Sequence, residues 1–121
     1  MVKKETHLLE RVREHGPLSF GIPSIAAYEL YFGAFKSNRV EDNLLRIEQL
    51  RVPIVNFDRE DAEEAGRLRA LLAAAGTPIG PYDILIAGQA KARSLVLITR
   101  NMREFSRVPG LQVEDWETQM G

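Results

Sequence analysis

The chain has 121 residues, no cysteine, 45% hydrophobic and 27% charged residues, and a formal net charge of −1. That length suits a single domain over 1–121 with one modest core. The lack of thiols excludes disulfides and thiolate metal sites, and the near-neutral charge means that any nucleic-acid contact has to come from a local patch.

The opening "MVKKETHLLERVREHG" is charged throughout and does not read as a signal peptide. No apolar run approaches the roughly 20 residues of a membrane span, so a cytoplasmic protein with no membrane partner is expected. Residues 5–15 read as a short helix with Leu8, Leu9 and Val12 on one side, closed by Gly16–Pro17. His7 and His15 lie in that helix and at its end and read as solvent-facing. "LSFGI", 18–22, reads as a short strand. Ser24 then reads as the N-cap of a helix from 25 to about 36. Residues 41–50 form the next helix, with Leu44, Ile47 and Leu50 at helical spacing.

"VPIVNF", 52–57, has the low polarity of a strand covered on both faces. Asp58 reads as an N-cap for a helix 59–75 whose apolar stripe is Ala62, Ala65, Leu68 or Arg69, and Leu72, with Gly76 as C-cap. Residues 77–81 hold two prolines and a glycine and read as a turn, and a helix over 82–93 follows. "LVLIT", 95–99, is the strongest strand pattern, and "LQVEDW", 111–116, reads as an edge strand. Strands alternating with helices imply an α/β fold with a mainly parallel sheet, whose ligand sites lie at the carboxyl ends of the strands.

Two helices carry an acid on an apolar face. Ile25, Tyr28, Glu29 and Phe32 share one helical face, as do Asp83, Ile86, Ala87 and Ala90. A carboxylate in apolar surroundings is costly without a partner, although Asp83 could also simply cap its helix. Beyond the strongest strand come Thr99, Asn101 and Glu104. A solvated loop is the plain reading of that run. Taken together, Glu29, Asp83, Asn101 and Glu104 supply hard oxygen donors suited to Mg²⁺ or Mn²⁺. Carboxylate-bound metal without a phosphate loop suggests phosphodiester hydrolysis. Lys91, Arg93, Arg100, Arg103 and Arg107, with Lys36 and Arg39 after the Glu29 helix, could contact phosphates or could be ordinary surface.

In "YELYFG", "GTPIGPYDILIA" and "TRNMREFSRVPGLQVEDW" the sequence resembles the PIN-domain ribonucleases, specifically the VapC-type toxins of toxin–antitoxin pairs, over roughly residues 18 to 117. The resemblance implies a PIN-like parallel sheet flanked by helices and a Mg²⁺- or Mn²⁺-dependent endoribonuclease. It also implies an RNA substrate with tRNA among the candidates, a VapB-type antitoxin and a homodimer. By position it makes Glu29, Asp83 and Glu104 metal-binding acids, with Asn101 completing the catalytic set and Thr99 a site hydroxyl. Arg100 and Arg103, grouped beside that site, are expected to contact RNA together with Thr99. Tyr82 stands where the family often has Asn. The family also opens with an apolar strand ending in "DTN", whose Asp is a principal metal ligand, whereas this chain opens at the helix that normally follows. Glu5, Glu10 and Glu14 do not replace that acid. The expectation is therefore a chain lacking the first central strand, with unpaired backbone, exposed apolar surface and weakened catalysis. A late start, a truncation, or a strand supplied by another copy would each produce it. The alternative function is a catalytically impaired PIN-like protein that binds an antitoxin or itself.

Overall fold

The computed structural model describes residues 21–115; the expected helix at 5–15, both histidines and the first residues of the expected first strand lie outside that range. In order, the elements are β1 (Ile22–Pro23), α1 (Ser24–Lys36), α2 (Val40–Leu50), β2 (Ile54–Val55), α3 (Arg59–Ala74), α4 (Pro81–Ala92), β3 (Leu97–Ile98), α5 (Met102–Phe105) and β4 (Val113–Glu114). The α/β alternation read from the pattern is present. Both pairings of described strands are parallel, Ile22 with Ile54 and Leu97 with Val113. Among the described residues, however, the strands form two separate pairs, β1–β2 and β3–β4, and not one continuous sheet.

Short pairing changes what the apolar runs do. Only Ile54 and Val55 of "VPIVNF" are laddered, and Ile54 keeps 49% of its surface exposed, so this strand is not covered on both faces. "LVLIT" contributes only Leu97 and Ile98, leaving Leu95 and Val96 open to solvent. The edge position of β4 holds, since it pairs with β3 alone among the described residues.

The signals at the ends of α3 hold in the structure. Asp58 caps α3 through a reciprocal box: its side chain accepts from the Asp61 N–H, and Asp61 accepts from the Asp58 N–H. At the other end Gly76 takes a left-handed conformation (φ 75°). The Thr77 N–H there reaches Leu72 O at 2.9 Å and the Gly76 N–H reaches Ala73 O at 3.1 Å, the pair of bonds that ends a helix on glycine. Ser24 is not a cap: Pro23 occupies that position and Ser24 is the first helical residue, with no side-chain capping bond.

The core lies between α3, α4 and the β3–β4 pair. Leu68 and Leu72 of α3 meet Ile84 and Ala87 of α4, with Phe105 and Val108 closing one end and Leu97 and Val113 packed alongside. Of the expected α3 stripe, Ala65, Leu68 and Leu72 are buried, while Ala62 is exposed and Asp61 is buried instead. The two helices approach closely because residue 88 is glycine. A Cβ there would fall 2.5 Å from the Ala65 Cβ and 2.6 Å from its Cα.

Beside this contact a polar network ties the start of α3 to the end of α4. Asp61 is 1% exposed and accepts from Arg93 Nη2 at 2.9 Å and Gln89 Nε2 at 3.1 Å. Gln89 also donates to Asn56 O, and Arg93 to Asn56 O and Asp58. The Arg93 guanidinium holds the Asp61 carboxyl below its ordinary range despite burial.

Two outcomes follow from this packing. Gly88→Ala should lower the thermal midpoint, at a cost of about 1–3 kcal/mol or more, because the methyl group meets helix backbone and not a movable side-chain end; calorimetry checks it. Arg93→Met should cost about 3 kcal/mol at neutral pH by stranding the buried Asp61 charge, the low end of the usual range because the guanidinium is partly exposed. Asp61 has a depressed pKa in the fold. The deficit of the variant should therefore be fully present at neutral pH and shrink as pH falls below about 4, the ordinary range of an Asp; urea titrations across that range measure it.

Candidate active site

The site is built at the start of α4. The turn before it, residues 77–80, ends in Gly80 as N-cap, and Pro81 takes the first helical position, where its missing N–H costs nothing. Asp83 follows in the first turn. It is partly buried, at the head of the face that buries Ile86, Ala87 and Ala90, as the spacing implied. It does not cap the helix: Gly80 is the N-cap and no side-chain cap bond forms.

Glu104 reaches the same place from α5. Its Oε1 accepts the Gly80 N–H at 2.6 Å, and its Oε2 accepts from Asn101 Nδ2 at 2.6 Å. The two carboxyl groups meet over Gly80, where a Cβ would lie 3.5 Å from Asp83 Oδ2 and 3.5 Å from Glu104 Oε1. The Gly80 amide holds Glu104 below its ordinary range. Asp83 bears the opposite consequence. Desolvation first, then the Glu104 carboxyl, then the charge of Glu29, push it up to about 6. One acid of the pair is thus ionised early and the other keeps its proton longer.

The remaining expected residues fall into two groups. Thr99 Oγ1 accepts the Asn101 N–H at 3.1 Å, shaping the loop after β3 from which Asn101 reaches Glu104. Arg103 is exposed on α5, and Arg100 is exposed in the loop before it. Arg107 donates to Pro78 O at 2.9 Å and so braces the turn that begins α4. By contrast, Arg93 is committed to Asp61 at the far end of α4, and Arg39 pairs with Asp42 at 2.6 Å. Neither belongs to the carboxyl cluster, although both stood near it in sequence.

Glu29 needs a correction. Its helix face was expected to look into the core, yet Tyr28 and Phe32 are 54% and 58% exposed and Glu29 is exposed with them. The buried residues of α1 are Ala27 and Ala34. Small side chains let α1 lie close to its neighbours, and the larger ones project outward. Glu29 still acts on Asp83 through its charge. Across the same α1–α4 junction the rings of Tyr28 and Tyr82 meet, with centroids 5.8 Å apart and planes tilted by 56°. The Tyr82 hydroxyl raises the Tyr28 phenol above its ordinary range. In the sequence Tyr82 stands out only as a departure from Asn, and the pair is not legible there because it joins residues from two helices.

The donors suit a hard divalent ion: two carboxylates and an amide oxygen, with no sulfur or imidazole among them. Among the described residues no three His, Cys, Asp or Glu side chains converge into a closed cage. A pair of carboxylates matches the way Mg²⁺ is held when most of its shell is water.

The PIN domain family matches residues 3–111 of the chain. The chain belongs to that family. It is 45% identical over 112 residues to the tRNA(fMet)-specific endonuclease VapC of Salmonella typhimurium, covering 88% of this chain and 85% of the relative. It is 39% identical to ribonuclease VapC2 of Haemophilus influenzae, covering 78% and 74%. Among solved structures it is similar to the DNA-bound VapBC of Salmonella typhimurium, with a TM-score of 0.83 at 44% identity over 91% of this chain and 84% of that one. It is also similar to VapBC2 of Rickettsia felis bound to a promoter DNA fragment, with a TM-score of 0.77 at 36% identity over 89% and 81%. The fold is thus the PIN fold in its VapC form, as the three sequence segments implied.

The raised Asp83 pKa has a measurable consequence in this PIN domain. The folded state prefers the protonated acid, so ionisation costs stability as pH rises from about 4 through about 6, and the full cost remains above that. Without divalent ions, Asp83→Asn should melt above the wild type at pH 8, and the difference should close as pH falls to about 4. Thermal melts at a series of pH values measure both.

Proposed function

We propose that this chain is the ribonuclease toxin of a VapBC-type pair, hydrolysing RNA phosphodiester bonds at the Asp83–Glu104 site with Mg²⁺ or Mn²⁺. The observation that carries the reading is the meeting of Asp83 and Glu104 over the Gly80 amide, in a chain whose relatives are named as ribonucleases. The bound ion would polarise the phosphoryl oxygen and lower the pKa of an attacking water. Asp83 and Glu104 would hold it, with Glu29 adding charge from α1. The chain's own groups prepare that site in advance. Gly80 keeps Glu104 ionised and fixed, and Asn101 holds the second oxygen of Glu104 in place. Thr99 orders the loop from which Asn101 projects. Arg100 and Arg103, exposed beside this loop, would contact RNA phosphates.

The relatives solved as VapBC complexes support a VapB-type antitoxin as the partner. A homodimer is proposed alongside it on the family resemblance alone. The name of the Salmonella relative makes tRNA(fMet) the first substrate to assay.

The test is cleavage of RNA with Mg²⁺ or Mn²⁺ present. Asp83→Asn should reduce cleavage to background. Asn101→Ala should lose about 10- to 100-fold, the usual penalty for removing a group that orients a metal-binding carboxylate. Gel assays on transcribed tRNA measure both, and equal rates for wild type and Asp83→Asn would overturn the reading.

A further inference from the structure

The Tyr28–Tyr82 pair has no part in the core. Both rings are about half exposed, at 54% and 47%, and α1 packs through Ala27 and Ala34 without them. Yet the pair is placed with order. Tyr28 directly precedes Glu29 on α1, and Tyr82 directly precedes Asp83 on α4. The α1–α4 junction therefore carries two adjacent rungs, one of charge and one of aromatic rings.

We propose that the Tyr28–Tyr82 pair is a stacking subsite for one unpaired nucleobase beside the bond that is cut. This rests on the ribonuclease reading of the same site. A nucleotide whose phosphate sits at the carboxylate cluster carries its base to the next rung. The tilt of 56° prevents both rings from lying flat on one base, so one ring stacks and the other meets its edge. Tyrosine suits this role because its ring is rigid and loses little freedom on binding. Every base offers a π-face, but in a duplex both faces are covered, so only an unpaired base can be taken.

The test uses a short single-stranded RNA carrying one 2-aminopurine, titrated with full-length protein in Ca²⁺ so that binding is read without turnover. Stacking on tyrosine should quench the fluorophore, and the same oligonucleotide annealed to its complement should show no such quenching. Tyr28→Leu and Tyr82→Leu should each weaken binding about ten-fold, within the range for losing one base stack, with the salt dependence unchanged because no phosphate contact is removed. Tyr82→Phe should retain both quenching and affinity. Phe35→Leu, further along α1, should behave as wild type.

Tyr→Leu variants that keep their helical circular dichroism and still bind and quench normally would overturn the subsite while leaving the nuclease reading intact. Equal losses from Phe35→Leu and Tyr28→Leu would overturn it too, marking the face as a general apolar surface for a protein partner. A wild type that neither cleaves nor binds RNA would remove both readings together.

Discussion

The close contact of α3 with α4 is what the rest of the structure depends on. It exists because residue 88 has no side chain and residue 65 has a single methyl group. With the helix backbones this near, Leu68, Leu72, Ile84 and Ala87 interdigitate into one core. The same contact lets Gln89 and Arg93 reach Asp61 and the carbonyl oxygen of Asn56. Among the described residues the two short pairs of strands offer little hydrogen bonding of their own, and helix packing supports their positions.

From that fixed α4 the site follows. Its first turn carries Asp83, and the turn before it supplies the Gly80 N–H that captures Glu104. Arg107 clamps the same turn through Pro78. The two acids share a hydrogen bond where they meet. The scaffold places them, and the raised pKa of Asp83 is the cost of that placement. Such a cost is expected where a pair of carboxyl groups is kept ready for a cation, and the ribonuclease proposal gives it a use.

The far end of α4 uses charge differently. Arg93 stands ten residues after Asp83 in the chain, and a sequence reading places it in the same basic patch as Arg100, Arg103 and Arg107. In the fold it neutralises Asp61, the most deeply buried acid among the described residues, and so stabilises the packing and not the site. A helix separates residues along its length, and its two ends serve different purposes here. One end brings two acids together, and the other buries an acid against its counter-ion.

Sequence alone determined what depends on neighbours along the chain. The N-cap at Asp58 and the glycine stop at Gly76 are local hydrogen-bonding and dihedral requirements, legible in a few residues. The start of α4 was legible to within one residue, since Pro81, read as the last residue of the turn, is the first of the helix. The segments around Glu29, Asp83 and Asn101 were legible as a family pattern, and the apolar face under Asp83 was legible from helical spacing. What tertiary structure decided was which faces are covered. Spacing put Tyr28, Glu29 and Phe32 on one side of α1 but could not say that the alanines face inward, because periodicity records a face and not its partner. It could not show that Arg93 meets Asp61, that Glu104 hangs from the Gly80 amide, or that Tyr28 meets Tyr82. Each of those contacts joins residues from separate elements, and only packing sets the distance between them.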